Sequence, residues 1–151
     1  MQSEYRLSEA NHAGILRLYA LPDVGLEGVV SHEQPRAVIL AGQPGSGKRA
    51  FARSAELEFR NDILKIDADE LREHHPEFES LRQRFPYAWT AHTQHDATQW
   101  LRQLGMAAID ARKNIIVDTT LGDRNGVIRT IRVLQLCIPS AEPNPCSATG
   151  A

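Results

Sequence analysis

The chain has 151 residues, 42% of them hydrophobic and 24% charged, with 17 basic against 19 acidic side chains and a formal net charge of −2. That is the size and mixture of one soluble α/β domain and leaves no room for a second full domain. The weakly negative balance excludes a general attraction to nucleic acid or to an anionic membrane, so any anion must be held by a local site.

A first helix is predicted over about 8–20, opened by Ser8 and Glu9 and carrying Ile15, Leu16, Leu18 and Tyr19 as its apolar positions. A polar connector with Pro22, Gly25, Gly28 and Pro35 follows. The run Ala37-Val38-Ile39-Leu40-Ala41 then reads as a strand buried on both faces, and the stretch after Lys48 as a helix to Arg60. A second strand is expected at 62–66, followed by Asp67-Ala68-Asp69 and a short helix from Glu70 that Pro76 ends. From about Trp89 to Lys113, Ala97, Trp100, Leu101, Leu104, Ala107, Ala108 and Ala111 recur at helical spacing. A third buried strand is expected at 114–117, closing with Asp118-Thr119-Thr120, and a last helix over about 127–136. Strands alternating with helices predict an α/β fold: a parallel sheet with helices on both faces.

Residues 138–151 stand apart, because Pro139, Pro143 and Pro145 interrupt any regular pattern; this tail is expected to be disordered. The predicted organisation is a helix and connector over 1–35, a core over 36–137 whose sheet is incomplete toward the C-terminus, and the tail. Neither a signal peptide nor a membrane span is predicted, since Glu4 and Arg6 stand near the start and the longest apolar runs are strand-sized. Cys137 and Cys146 follow neither a disulfide framework nor a zinc spacing, so a reducing cytoplasm is the expected compartment.

Gly42-Gln43-Pro44-Gly45-Ser46-Gly47-Lys48 has the spacing G-x-x-x-x-G-K. Glycines at those places let backbone N–H groups turn inward around phosphate oxygens, the helix start adds partial positive charge, and Lys48 reaches the outer phosphates. The competing account is a plain strand-to-helix turn. A dinucleotide loop fits less well, because the glycine order is not G-x-G-x-x-G. After the lysine such loops carry Ser or Thr, whose hydroxyl binds the Mg²⁺ that accompanies ATP; here the residue is Arg49, which has donors only. Nucleotide binding is therefore expected, with a weakened Mg²⁺ site.

Ligands of an open parallel sheet bind beyond the carboxyl ends of its strands, and all three predicted ends carry chemistry. Phosphoryl transfer to a hydroxyl needs a carboxylate that orients the acceptor and takes its proton, which suits Asp69, and a cation on the phosphates, which suits Lys48. Asp118 holds a Walker-B-like position. Helix capping is the competing account of Asp67 and Asp69.

The glycine loop, Ile66-Asp67-Ala68-Asp69 with His75-Pro76, Asn114-Ile115-Ile116-Val117-Asp118-Thr119-Thr120, and Thr130 with Leu134-Gln135 together resemble the zeta toxin family, P-loop kinases of bacterial toxin–antitoxin systems. The resemblance covers about 38–135. It implies ATP-dependent phosphorylation of UDP-N-acetylglucosamine on the sugar 3′-hydroxyl, and an antitoxin protein as partner. It matches Asp69 to the catalytic base, Lys48 to the phosphate lysine, Gly42 through Arg49 to the ATP loop, and Asp67, Asp118, Thr120 and Thr130 to the substrate side. Arg49 departs from the pattern, Arg102 falls where the family has a glutamate, and the phosphate-clamping arginines have no counterpart. Three readings stay open: an active sugar-nucleotide kinase, a truncated remnant that only binds nucleotide or an antitoxin, and a kinase of another small-molecule or polynucleotide hydroxyl.

His92, His95 and Asp96 place two imidazoles on one helix face, but surface polarity or substrate-side hydrogen bonding is the better account than metal. His74 and His75 are read as helix-ending residues. Phe85, Tyr87, Trp89 and Trp100 are read as packing under the long helix rather than a base-stacking platform, for lack of a basic stripe beside them. Arg124, Arg129 and Arg132 are read mainly as solvated surface, with phosphate contact a further option for Arg124.

Overall fold

The structure is a computed structural model and describes residues 4–42 and 45–119. Thr120, Arg124, Arg129, Thr130, Arg132, the helix expected over 127–136 and the tail over 138–151 lie outside the described residues, as do Gln43 and Pro44. Three strands form one sheet, β1 (Ala37–Ala41), β2 (Leu64–Asp67) and β3 (Ile115–Thr119), in the order β1-β3-β2 with both pairings parallel. Helix α3 (Lys48–Glu58) follows β1, and α4 (Ala68–Arg72), α5 (Phe78–Arg84) and α6 (Trp89–Asp110) lie between β2 and β3.

Alternation along the strands sorts side chains to two faces. Val38, Leu40 and Ile116 pack with Ala55 of α3 and with Phe59, which caps that helix's C-terminus. Ile39, Leu64, Ile115 and Val117 pack with Ala108 of α6. This parity also decides where the polar strand ends go. Asp118 is two residues beyond Ile116, so it falls on the α3 side, and the register sets Asp67 directly beside it.

The N-terminal helix runs further than its sequence suggests. α1 (Glu9–Ile15), capped by the Ser8 hydroxyl oxygen on Asn11 N–H at 3.3 Å, passes into a π-helical turn over Leu16–Ala20 and then α2 (Leu21–Val24). The wider turn, closed by Leu21 N–H on Leu16 C=O, carries the chain past Pro22, whose ring has no N–H and crowds the carbonyl four residues back in a regular helix. Gly25, left-handed at φ 69°, ends it. Ala20 and flanking Ile15, Leu16 and Leu21 cover Ile66, Leu71, Trp100 and Leu104.

Two other expectations need correction. The short helix after β2 starts at once, at Ala68, and stops at Arg72, well before Pro76; α5, absent from the periodicity reading, occupies Phe78–Arg84. Trp100 is fully buried, donating its indole N–H to His12 C=O at 3.1 Å and stacking on the His12 ring, whereas Tyr87 is fully exposed and packs under nothing. Among the described residues no helix is long and apolar enough to cross a membrane.

Candidate active site

The glycine loop leaves β1 and enters α3. Gly45 and Gly47 take φ values of 82° and 83°, a region that L side chains rarely occupy, and a Cβ on Gly42 would stand 2.6 Å from Ser46 Oγ. The loop is thus shaped around glycine at the places where phosphate-binding backbone needs it. Lys48 is the first residue of α3, and its Nζ donates to Asp118 Oδ1 at 2.9 Å, both side chains being largely buried. The pair joins the loop to the central strand.

At the end of β2, Asp67 accepts the Asp69 N–H at 2.9 Å and so caps α4. The capping account is therefore correct for Asp67. Its other oxygen lies 3.5 Å from Lys65 Nζ, which also donates to Glu70 at 3.2 Å. Burial works against the Lys65 ammonium, but Glu70 and Asp67 outweigh it and hold its pKa above the ordinary lysine value. Asp69 does no capping: its side chain is 54% exposed at the rim and accepts from Arg72 Nε at 3.2 Å. Arg72, a residue that the sequence reading passed over, is buried; its only local signal is the spacing of three from Asp69.

Arg49 is exposed. It stands at the sequence position where such loops carry a hydroxyl, and the carboxylate that touches Lys48 is already engaged by that ammonium. These residues fit a nucleotide phosphate and do not fit a side-chain-held Mg²⁺. Arg102, where the resemblance leads one to expect a glutamate, is exposed on α6.

The histidines divide by role. His75 is buried: its Nδ1 accepts the Glu77 N–H at 3.2 Å, so Nε2 carries the proton and donates to Tyr5 C=O at 3.0 Å. His75 therefore docks the N-terminal segment rather than merely ending a helix. Asp96 is buried too, accepting Leu7 N–H at 3.3 Å and pairing with His12 Nδ1 at 2.9 Å. His92 sits edge-on to Tyr5 and tilted against Phe85. Among the described residues no three His, Cys, Asp or Glu side chains are grouped to hold a metal.

The zeta toxin family profile matches residues 24–136. The chain belongs to the zeta toxin family. It is 31% identical over 118 residues to Toxin PezT of Streptococcus pneumoniae, an alignment covering 78% of this chain and 45% of PezT. It is 26% identical over 110 residues to Toxin zeta of Streptococcus pyogenes, covering 73% of this chain and 38% of that protein. A solved chain from the characterisation of the PezAT chromosomal toxin–antitoxin system of S. pneumoniae superposes with a TM-score of 0.77 at 25% identity, over 88% of this chain and 54% of that one. The chain thus spans about half the length of these relatives, or less. The sheet and its flanking helices are those of the P-loop kinase fold of the family.

Proposed function

We propose that this zeta toxin family chain is an ATP-dependent kinase that phosphorylates a sugar-nucleotide hydroxyl, with UDP-N-acetylglucosamine as acceptor. The observation that carries the reading is the common edge of the sheet: the glycine loop with Lys48 after β1, Asp69 after β2 and Asp118 at the end of β3. Backbone N–H groups of Gly45 through Lys48 and the ammonium of Lys48 bind the triphosphate and draw charge toward the departing diphosphate. Asp69, exposed at the rim, accepts the acceptor hydroxyl's proton as the new O–P bond forms and the bond to ADP breaks. Asp67 and Asp118 line the acceptor side with Thr120 and Thr130, and residues 36–137 form the kinase core. The system in which PezT occurs supports an antitoxin partner for this chain as well.

Arg49 favours a second reading, nucleotide binding without transfer, because the protein then contributes no hydroxyl to a metal that would offset phosphate charge. Incubating the full chain with ATP, Mg²⁺ and UDP-N-acetylglucosamine and weighing the sugar nucleotide by mass spectrometry separates the two. Phosphorylated sugar that disappears with Asp69→Asn supports the kinase. ATP binding without product supports the second reading, and no nucleotide binding sinks both.

A further inference from the structure

We propose that Arg72 is the positioning residue for Asp69, aiming its carboxylate from a clamp built on α6; the inference rests on the kinase reading above. Arg72 is 2% exposed. Its Nη1 donates to Thr90 C=O and to Thr93 Oγ1, both at 3.1 Å, and its Nη2 to Gln94 Oε1 at 2.5 Å. Nε donates to Asp69 Oδ1 at 3.2 Å.

A buried cation is costly unless its donors are met and its charge is balanced. Three neutral acceptors of α6 meet the donors, yet the balancing carboxylate is the half-exposed Asp69. An ordinary pair at this spacing on a five-residue helix needs no such embedding and contributes only a few tenths of a kcal/mol, roughly. What the embedding does is reference Asp69 to the long helix instead of to the short α4. Only Oδ1 is engaged among the described residues, which leaves Oδ2 for the acceptor hydroxyl. The planar fork of arginine suits this, because its Nη donors and its Nε point in fixed, divergent directions; lysine supplies a single point charge.

The test compares kcat and KM of the full-length wild type, Arg72→Gln, Arg72→Lys, Gln94→Ala, Asp69→Asn and the Asp69→Asn/Arg72→Gln double variant in phosphotransfer. Positioning a general base is a kcat effect, so Arg72→Gln lowers kcat roughly tenfold or more with KM for ATP held within about twofold, and Arg72→Lys restores only part of it. Gln94→Ala, at an exposed position where water can replace the lost acceptor, gives a smaller kcat loss with a smaller drop in melting temperature and covers the case in which Arg72→Gln does not fold. In the double variant Arg72→Gln costs nothing beyond Asp69→Asn. Wild-type kcat in folded Arg72 variants, or Arg72 and Asp69 losses that multiply independently, overturns the positioning role while leaving the kinase reading intact. No transfer by the wild type overturns both.

Discussion

Lys48 Nζ and Asp118 Oδ1 meet at 2.9 Å across the seam between the glycine loop and the central strand. The ammonium proposed to bind phosphate is therefore already paired with a carboxylate within the same site. Asp118→Asn removes that competing negative charge, so ADP affinity in the absence of acceptor rises by about 1 kcal/mol, or roughly fivefold in Kd by calorimetry. The same change leaves a largely buried ammonium unpaired and lowers unfolding stability by about 2 kcal/mol in urea titration. Lys48→Met is expected to lose both nucleotide binding and stability.

Asp69→Asn keeps the size of the side chain and the acceptor oxygen for Arg72 but removes the proton acceptor. Transfer falls by about 100-fold or more, while ATP affinity stays within about twofold because the loop is untouched. Equal losses in affinity and turnover would assign Asp69 to binding instead.

Arg49→Thr restores a hydroxyl at the start of α3. Mg²⁺-dependent turnover is expected to rise about tenfold, and the gain disappears when the assay is run in EDTA. A variant no faster than wild type removes Arg49 as the cause of a weak metal site.

Asp62 ties the connector ahead of β1 to the sheet, accepting Val30 N–H at 2.8 Å and pairing with His32 Nε2 at 2.6 Å. The Val30 bond above all, against some desolvation and aided by His32 and Lys113, holds its pKa below the ordinary 3.8. A lowered folded-state pKa means that the contribution is fully present above the unfolded value and is lost as pH falls through the folded one. Asp62→Asn should therefore depress the melting temperature at neutral pH, and the gap to wild type should close once the pH drops below the carboxylate range. A gap that stays constant from neutral to acid pH contradicts this.

The periodicity of the apolar runs was enough to find the three strands, α3 and α6, because each depends on residues within a few positions of one another. It placed Ser8 as a cap and Asp67 and Asp69 at a strand end for the same local reason. It missed α5, whose seven residues bury only Leu81, and it stopped the first helix before Pro22, because nothing local announces the π-turn that lets the helix pass proline.

Sequence alone determined the chemistry at the sheet's edge: glycines at 42, 45 and 47, Lys48 after them, and carboxylates at the ends of the next two strands, since the order of residues along one chain dictates which side chains stand at each strand's end. The tertiary structure alone decided which of those groups meet. The order β1-β3-β2 brings Asp118 to Lys48, 70 residues away, and the packing of α4 on α6 carries Arg72 to Thr90, Thr93 and Gln94 while its Nε stays on Asp69. Asp96 and His75 likewise found their work in holding Leu7 and Tyr5, 89 and 70 residues away along the chain. Contacts of that range depend on how the layers close over the sheet, and no local pattern of residues encodes a partner that only folding brings within reach.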